Sequence, residues 1–66
     1  MDNRICSERA ARKMTQTELA AKVGVTRDTI SAWERGGEVS GSALKKMTEV
    51  FECSMDWLAG LTETRK

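Results

Sequence analysis

A chain of 66 residues has room for one small domain with a modest core, so we expect no second catalytic or ligand-sensing domain within it. Eleven basic and ten acidic residues give a net charge of +1, so composition alone indicates no nucleic-acid partner. No apolar run reaches the roughly 18 residues of a membrane span, which predicts a cytoplasmic chain without a membrane partner.

The two cysteines, Cys6 and Cys53, stand far apart in the sequence and form no CxxC motif. Both fall among apolar helix positions, so we expect small buried thiols and neither a disulfide nor a redox switch. Because the chain also lacks histidine, we expect no metal site. No activated nucleophile or carboxylate pair is evident, so we expect no cofactor and no enzymatic activity.

Short spacers separate helical patterns along the whole chain, which has no proline and no convincing strand pattern. The sequence therefore predicts an all-α domain. Asp2 or Asn3 can cap a first helix that runs to about Lys13. One face of this first helix is mixed and contains Ile5, Arg9 and Arg12.

Two further helical patterns meet at a single glycine between residues 16 and 35. Thr15 and Glu18 form a Thr-x-x-Glu capping box at the start of the second helix. Gly24 supplies the positive φ angle of the corner, and Thr26 caps the third helix. Two well-capped helices joined by so short a turn predict a helix-turn-helix.

The third helix has one apolar and one polar face. At roughly 100° per residue, Ile30 and Trp33 fall on the same side, which we expect to be core. The opposite arc is predicted to be exposed and contains Arg27, Asp28, Ser31, Ala32 and Arg35.

Two more helices follow. Gly36 and Gly37 end the third helix, and Ser40 caps a fourth. Helical spacing predicts that the fourth helix buries Leu44, Met47, Thr48 and Phe51. Ser54 caps a short fifth helix from Met55 to Ala59, in which Trp57 is expected to be core, and Gly60 ends it. Residues 61–66 are predicted to be a polar tail or the start of a linker, which places the domain in residues 1–60.

The central stretch also carries the sequence pattern of a known family. The matching residues are Gln16, Leu19-Ala20, Val23-Gly24-Val25, Thr26, Thr29-Ile30-Ser31 and Trp33-Glu34-Arg35-Gly36. From about residue 4 to residue 60 the chain resembles the lambda-repressor-like helix-turn-helix family, which includes phage Cro and repressor DNA-binding domains and their xenobiotic-response-element relatives. The resemblance implies a five-helix all-α domain whose helices two and three form the helix-turn-helix.

The resemblance also implies which residues meet double-stranded operator DNA. The exposed arc of the third helix would read base edges through Arg27, Asp28, Ser31 and Ala32. Arginine can bond guanine, aspartate can accept from cytosine, and the alanine methyl group can meet a thymine methyl group. Gln16, Thr26 and Arg35 are the expected phosphate contacts, helped by the backbone N–H groups at the helix starts.

Arg9 and Glu34 fall where the family carries an ion pair between the first and third helices. A bidentate guanidinium–carboxylate pair tolerates partial burial, so we expect this pair to be structural. Lys13 departs from the family, which often has glycine at this position.

The function implied is that of a Cro-type phage or prophage repressor that acts as a weak homodimer formed on DNA, without a small-molecule ligand. The dimer contact is expected in the loop from Gly36 to Ser40 and on the last helix, through Met55 and Leu58. Two alternatives stay open. The chain can be the N-terminal DNA-binding domain of a longer repressor, or a protein-interaction module, such as an antitoxin or adaptor, that uses the same fold.

Overall fold

Five α-helices make up the domain in a computed structural model, which describes residues 3–65. They are α1 (Ile5–Ala11), α2 (Gln16–Val23), α3 (Arg27–Glu34), α4 (Gly41–Phe51) and α5 (Met55–Leu58). No strand occurs in this part of the chain, so the all-α prediction is confirmed. None of these helices is both long and apolar enough to cross a lipid bilayer.

Side-chain caps begin four of the helices, at the residues that the sequence predicted. The Thr15 hydroxyl accepts a hydrogen bond from the Glu18 N–H at 3.0 Å, and the Glu18 carboxylate accepts one from the Thr15 N–H at 2.8 Å. Thr26, Ser40 and Ser54 each accept a bond from the backbone N–H three residues later. These caps satisfy N–H groups that have no partner within the helix, and so they fix where α2 to α5 begin.

The ends of α1 differ from the prediction. Arg4 is the N-cap residue and has no capping side-chain bond. The Asn3 side chain instead accepts a bond from the Ile5 N–H at 3.1 Å, while Asp2 lies outside the described residues. The helix ends at Ala11, two residues before the predicted end, because Lys13 has a positive φ angle of 53°. This is the conformation that glycine adopts most easily, so Lys13 stands where glycine would be less strained.

The core draws at least one fully buried side chain from every helix: Ile5, Leu19, Ile30, Met47, Phe51 and Leu58. Trp33 is also buried, as predicted, whereas Trp57 is only half-buried. On α4 the buried face contains Ala43, which the sequence analysis missed, and Leu44 and Thr48 are only half-buried.

The prediction of two buried thiols was wrong for Cys6, which is exposed. The sequence pattern placed Cys6 beside Ile5, but α1 turns its other side to the core, where Glu8 is buried instead. Cys53 is half-buried, and burial raises the pKa of its thiol.

Residues 61–65, predicted as a tail or linker start, lie against the domain. The Ser54 N–H donates to the Arg65 carbonyl at 2.9 Å, and Arg4 donates to the Thr62 carbonyl at 2.8 Å. The folded unit therefore continues past Gly60 at least as far as Arg65, and Lys66 lies outside the described residues.

Candidate nucleic-acid interface

The turn between α2 and α3 determines how the third helix is presented. Gly24 adopts a φ angle of 84°, which a side chain would strain. The N–H groups of Gly24 and Val25 both donate to the Ala20 carbonyl, at 2.8 and 3.0 Å. Val25 packs against the core, and Thr26 then caps α3. Because each residue of the turn is bonded or packed, α3 leaves α2 in one direction.

The outer face of α3 is formed by the arc that the sequence predicted. Arg27, Asp28, Ala32 and Arg35 are exposed, and Ser31 is half-buried. Ile30 and Trp33 occupy the opposite, buried side of the helix. This arc is the surface that α3 can offer to a groove of DNA.

Arg27 and Asp28 stand at the start of this arc. The Arg27 Nη1 atom lies 3.8 Å from Asp28 Oδ1, and the two side chains are 62% and 95% exposed. Such an ion pair contributes little and opens readily, because water screens both charges. The guanidinium of Arg27 therefore remains available for a base or a phosphate.

Two helix N-termini lie near α3: its own, capped by Thr26, and that of α2, where Gln16 contacts Glu34 at the end of α3. The Thr26 hydroxyl accepts a bond from the Thr29 N–H at 3.3 Å and lies 2.9 Å from the Thr29 hydroxyl. The threonine side chain is thus already used within the helix cap. The first turn of α3 still has free backbone N–H groups, and so does the first turn of α2 at Gln16. Such groups favour the binding of an anion.

Gln16 joins the start of α2 to the end of α3. Its side-chain nitrogen donates to Glu34 Oε1 at 3.0 Å. One amide hydrogen is used in this bond, so the second remains for another acceptor. An anion bound by Gln16 at the start of α2 would therefore be linked, through the bond from Gln16 to Glu34, to the helix that carries Arg27.

Arg9 and Glu34 form the pair that the family resemblance implied. Arg9 Nε donates to Glu34 Oε2 at 2.7 Å and Nη2 donates to Oε1 at 3.3 Å, which makes the pair bidentate. Arg9 Nη1 also donates to the Met14 carbonyl at 2.7 Å. The pair thus fastens α3 to α1 and to the segment that leads into α2.

The charge of Glu34 is stabilised in this position although the side chain is only 8% exposed. Burial by itself raises the pKa of the carboxyl group. The hydrogen bonds from Arg9 and Gln16 and the positive charge of Arg9 outweigh burial, so the pKa is lowered. The hydrogen bond to Glu34 in turn raises the pKa of Arg9. Both groups are charged at neutral pH.

A further link to α3 was missed by the sequence analysis. Asn3 donates from Nδ2 to the Trp33 carbonyl at 2.8 Å, while its oxygen accepts from Ile5. This one side chain joins the end of α3 to the start of α1. The bond connects residues 30 positions apart, so no local pattern could indicate it.

The predicted dimer contact is only partly at the surface. Met55 is 42% exposed, whereas Leu58 is 0% exposed and belongs to the core. Leu58 is therefore corrected from a dimer residue to a core residue.

A groove of about 310 Å³ lies beside α5, and it is lined by Asn3, Ile5, Gly36, Gly37, Glu38, Val39, Leu44 and Ala59.

The arginines divide into two groups within residues 3–65. Arg4, Arg9, Arg12 and Arg65 each bond carboxylates or carbonyls of the domain itself. Arg27 and Arg35 remain, and both lie exposed on α3 or at its C-cap. The arginine charge available to an outside partner is therefore concentrated on the outer face of α3.

Comparison with known families agrees with this geometry. A family model described as helix-turn-helix matches residues 7–58, which span α2 and α3 together with most of the core. Comparisons with curated proteins and with solved structures gave no match. The chain belongs to the lambda-repressor-like helix-turn-helix family of DNA-binding regulators.

Proposed function

We propose that this chain is a Cro-type repressor, of phage or prophage kind, that binds a specific operator as two copies. The main support is the concentration of available arginine on the outer face of α3, since the other described arginines are bonded within the domain. A helix of this size fits the major groove of B-DNA, where the four base pairs differ in their hydrogen-bonding groups.

In the proposed complex α3 reads bases. Arg27 donates two bonds to a guanine, and Asp28 accepts from a cytosine amine. The Ala32 methyl group meets a thymine methyl group, and Ser31 bonds a neighbouring base edge or phosphate. Asp28 also repels the backbone wherever no cytosine amine is present, so it discriminates against wrong sequences.

Phosphates fix the position of α3 in the groove. The free N–H groups at the starts of α2 and α3, near Gln16 and Thr26, bind one strand, and Arg35 binds a phosphate near the other end of α3. The bond from Gln16 to Glu34 connects this phosphate contact to the recognition helix. Backbone contacts therefore set the position from which Arg27 reads its base.

Arg27→Ala is expected to reduce affinity for the preferred site by roughly 1–3 kcal/mol and to relax preference at one base pair. The reason is the loss of a bidentate base contact, while the fold is unaffected because the side chain is exposed. Gel-shift titrations on the preferred duplex and on single-base variants measure both effects.

Gln16→Ala is the matched comparison. It should weaken binding to specific and non-specific duplexes about equally, because a phosphate contact carries no base preference. If Arg27→Ala also lowered affinity for all sequences alike, Arg27 would be a phosphate contact and its base-reading role would be wrong.

Two copies are proposed because one α3 helix offers few base and phosphate contacts, too few to compete with bulk genomic DNA. A two-fold arrangement places two recognition helices about 34 Å apart, one turn of DNA. The proposed contact joins the Gly36–Ser40 loop and the exposed Met55 of one copy to those of the other. Its apolar area is small, so the dimer forms on DNA and not in free solution.

Sedimentation of the free protein at micromolar concentration is expected to show monomer, and titration of a selected duplex should end at two chains per site, bound cooperatively. Met55→Glu should reduce cooperativity while leaving binding to an isolated half-site unchanged. A half-site bound as tightly as the full site, or one chain saturating a full site, would rule out the dimer.

A further inference from the structure

Besides Glu34, a second carboxylate is largely withdrawn from water: the side chain of Glu8 on α1 is 10% exposed. Arg12 donates to its Oε1 atom at 2.8 Å, and Trp57 Nε1 donates to Oε2 at 2.9 Å. Arg65 donates to both oxygens, from Nη2 at 2.8 Å and from Nε at 3.3 Å. A carboxylate in this position is stable only while such donors surround it.

Arg65 has a second set of bonds at the end of α4. Its Nη2 atom donates to the Phe51 carbonyl at 2.6 Å, and Nη1 donates to the Glu52 carbonyl at 3.1 Å. The last carbonyls of a helix have no partner within it, and the C-terminus favours positive charge. Arg12 Nη2 also donates to the Phe51 carbonyl, at 2.7 Å, so Arg65 and Arg12 together close α4 and neutralise Glu8 on α1.

Arg4 holds the other end of the same segment. Its guanidinium lies 3.8 Å above the Trp57 ring and donates to the carbonyls of Trp57 and Thr62, at 2.6 and 2.8 Å. It also lies 3.4 Å from the exposed Glu63 carboxylate. Residues 61–65 are therefore fixed at both ends, by Arg4 and by Arg65.

Residues 61–65 also contact the short helix α5 at both of its ends. α5 has only four residues, and a single turn has little stability of its own. Before α5, the Ser54 N–H donates a hydrogen bond to the Arg65 carbonyl. After α5, the Leu61 N–H donates one to the Asp56 carbonyl.

We propose that residues 61–65 are a strap of the DNA-binding domain, locked by Arg65 on the buried Glu8, and that opening this lock frees α5. The strap lies beyond residue 58, where the family match ends. It therefore lies outside the matched helix-turn-helix region.

Hydrogen-bond donors reach Glu8 from three elements: Arg12 of α1, Trp57 of α5 and Arg65 of the strap. The Cys53 thiol is also nearby, since the negative charge of Glu8 helps to raise the pKa of that thiol. The hydrogen bond from Arg65 is the largest influence on Glu8. With Trp57 and Arg12 it outweighs burial and lowers the pKa of the carboxyl group to about 2. Acid and loss of Arg65 are thus two ways to open the lock.

The strap also affects the proposed dimer, a consequence that rests on the proposed function. Met55 belongs to α5, so an open strap releases the residue that meets the second copy. The base-reading face of α3 lies on another helix and stays in place. Opening the strap should therefore weaken cooperative binding more than half-site binding.

NMR on the full chain tests the lock without DNA. In the native protein the Glu8 carboxyl carbon should titrate near the low value of about 2, and the Ser54 amide should be protected from hydrogen exchange. In Arg65→Gln the pKa of Glu8 should rise toward its ordinary value of 4.5, and protection of Ser54 should fall roughly tenfold or more. Arg65→Lys should give intermediate values, because lysine keeps the charge without the guanidinium fork.

Thr64→Ala is the control, since it changes an exposed side chain in the same segment and should leave both readouts as in the native chain. An ordinary Glu8 pKa in the native protein, or unchanged readouts in Arg65→Gln, would overturn the lock. The titration of Glu8 in the native protein tests whether the carboxylate is held by its donors even if Arg65→Gln does not fold. Because no DNA is used, failure of the lock and failure of the proposed repressor function are distinguishable.

Discussion

Removing either partner of the Arg9–Glu34 pair is expected to lower the free energy of unfolding by about 2–4 kcal/mol. The two side chains are 18% and 8% exposed, so each alanine substitution leaves a charge with little access to water. A domain of this length has a total stability of only about 3–10 kcal/mol, so the loss is a large fraction of it. Urea denaturation of Arg9→Ala, Glu34→Ala and the double variant measures the effect.

The double variant should lose less than the sum of the single losses, with a coupling of roughly 1–3 kcal/mol. Arg27 and Asp28 supply the matched control, because their exposed pair at 3.8 Å should show coupling below about 0.5 kcal/mol in the same assay. Strictly additive losses for Arg9 and Glu34 would mean that the pair does not fasten α1 to α3.

Acid should destabilise the domain chiefly between pH 4.5 and about 2. The pKa of Glu8 is near 4.5 when unfolded and about 2 when folded, so in this window the unfolded chain binds more protons. The stabilisation is complete above pH 4.5 and is lost as pH falls toward 2. The difference of about 2.5 in pKa corresponds to roughly 3 kcal/mol. The lowered pKa of Glu34 acts in the same direction.

Urea denaturation at a series of pH values tests this dependence. Glu8→Gln should be less stable at pH 7 and should have a flatter profile below pH 4.5, because the titrating group is gone. Glu49→Gln removes an exposed carboxylate from α4 and should keep the native profile. A Glu8→Gln profile as steep as that of the native chain would assign the acid effect to other groups.

Local signals explain why the helix starts could be predicted. Each cap depends on one side chain and a backbone N–H three residues later, as at Thr15 and Ser54. The corner at Gly24 likewise follows from the conformational freedom of a single residue. Such features need no knowledge of the rest of the chain.

Long-range features were predicted only where the family resemblance supplied them. It supplied the bond between Arg9 and Glu34, which are 25 residues apart. It supplied nothing for Glu8, whose partners Trp57 and Arg65 lie 49 and 57 residues away. A glutamate in a short helix has the pattern of a solvated residue, so only the packed structure identifies Glu8 as buried.

The short helices α1 and α5 caused the errors at Cys6 and Leu58. Four residues of α5 are too few for a helical period, so sequence could not distinguish exposed Met55 from buried Leu58. The same difficulty in α1 placed Cys6 inside when it is exposed. α3 has eight residues and a clear period, and there the exposed and buried faces were predicted.

Selection of binding sites from random duplex DNA tests the proposed dimeric, sequence-specific binding most directly. The native chain is expected to enrich a pseudo-palindrome whose half-sites are centred about 34 Å, roughly 10 base pairs, apart. Affinity for the enriched duplex should fall steeply with the logarithm of salt concentration. No enrichment over the starting pool, or enrichment of a single unpaired half-site, would contradict the proposed dimeric, sequence-specific binding.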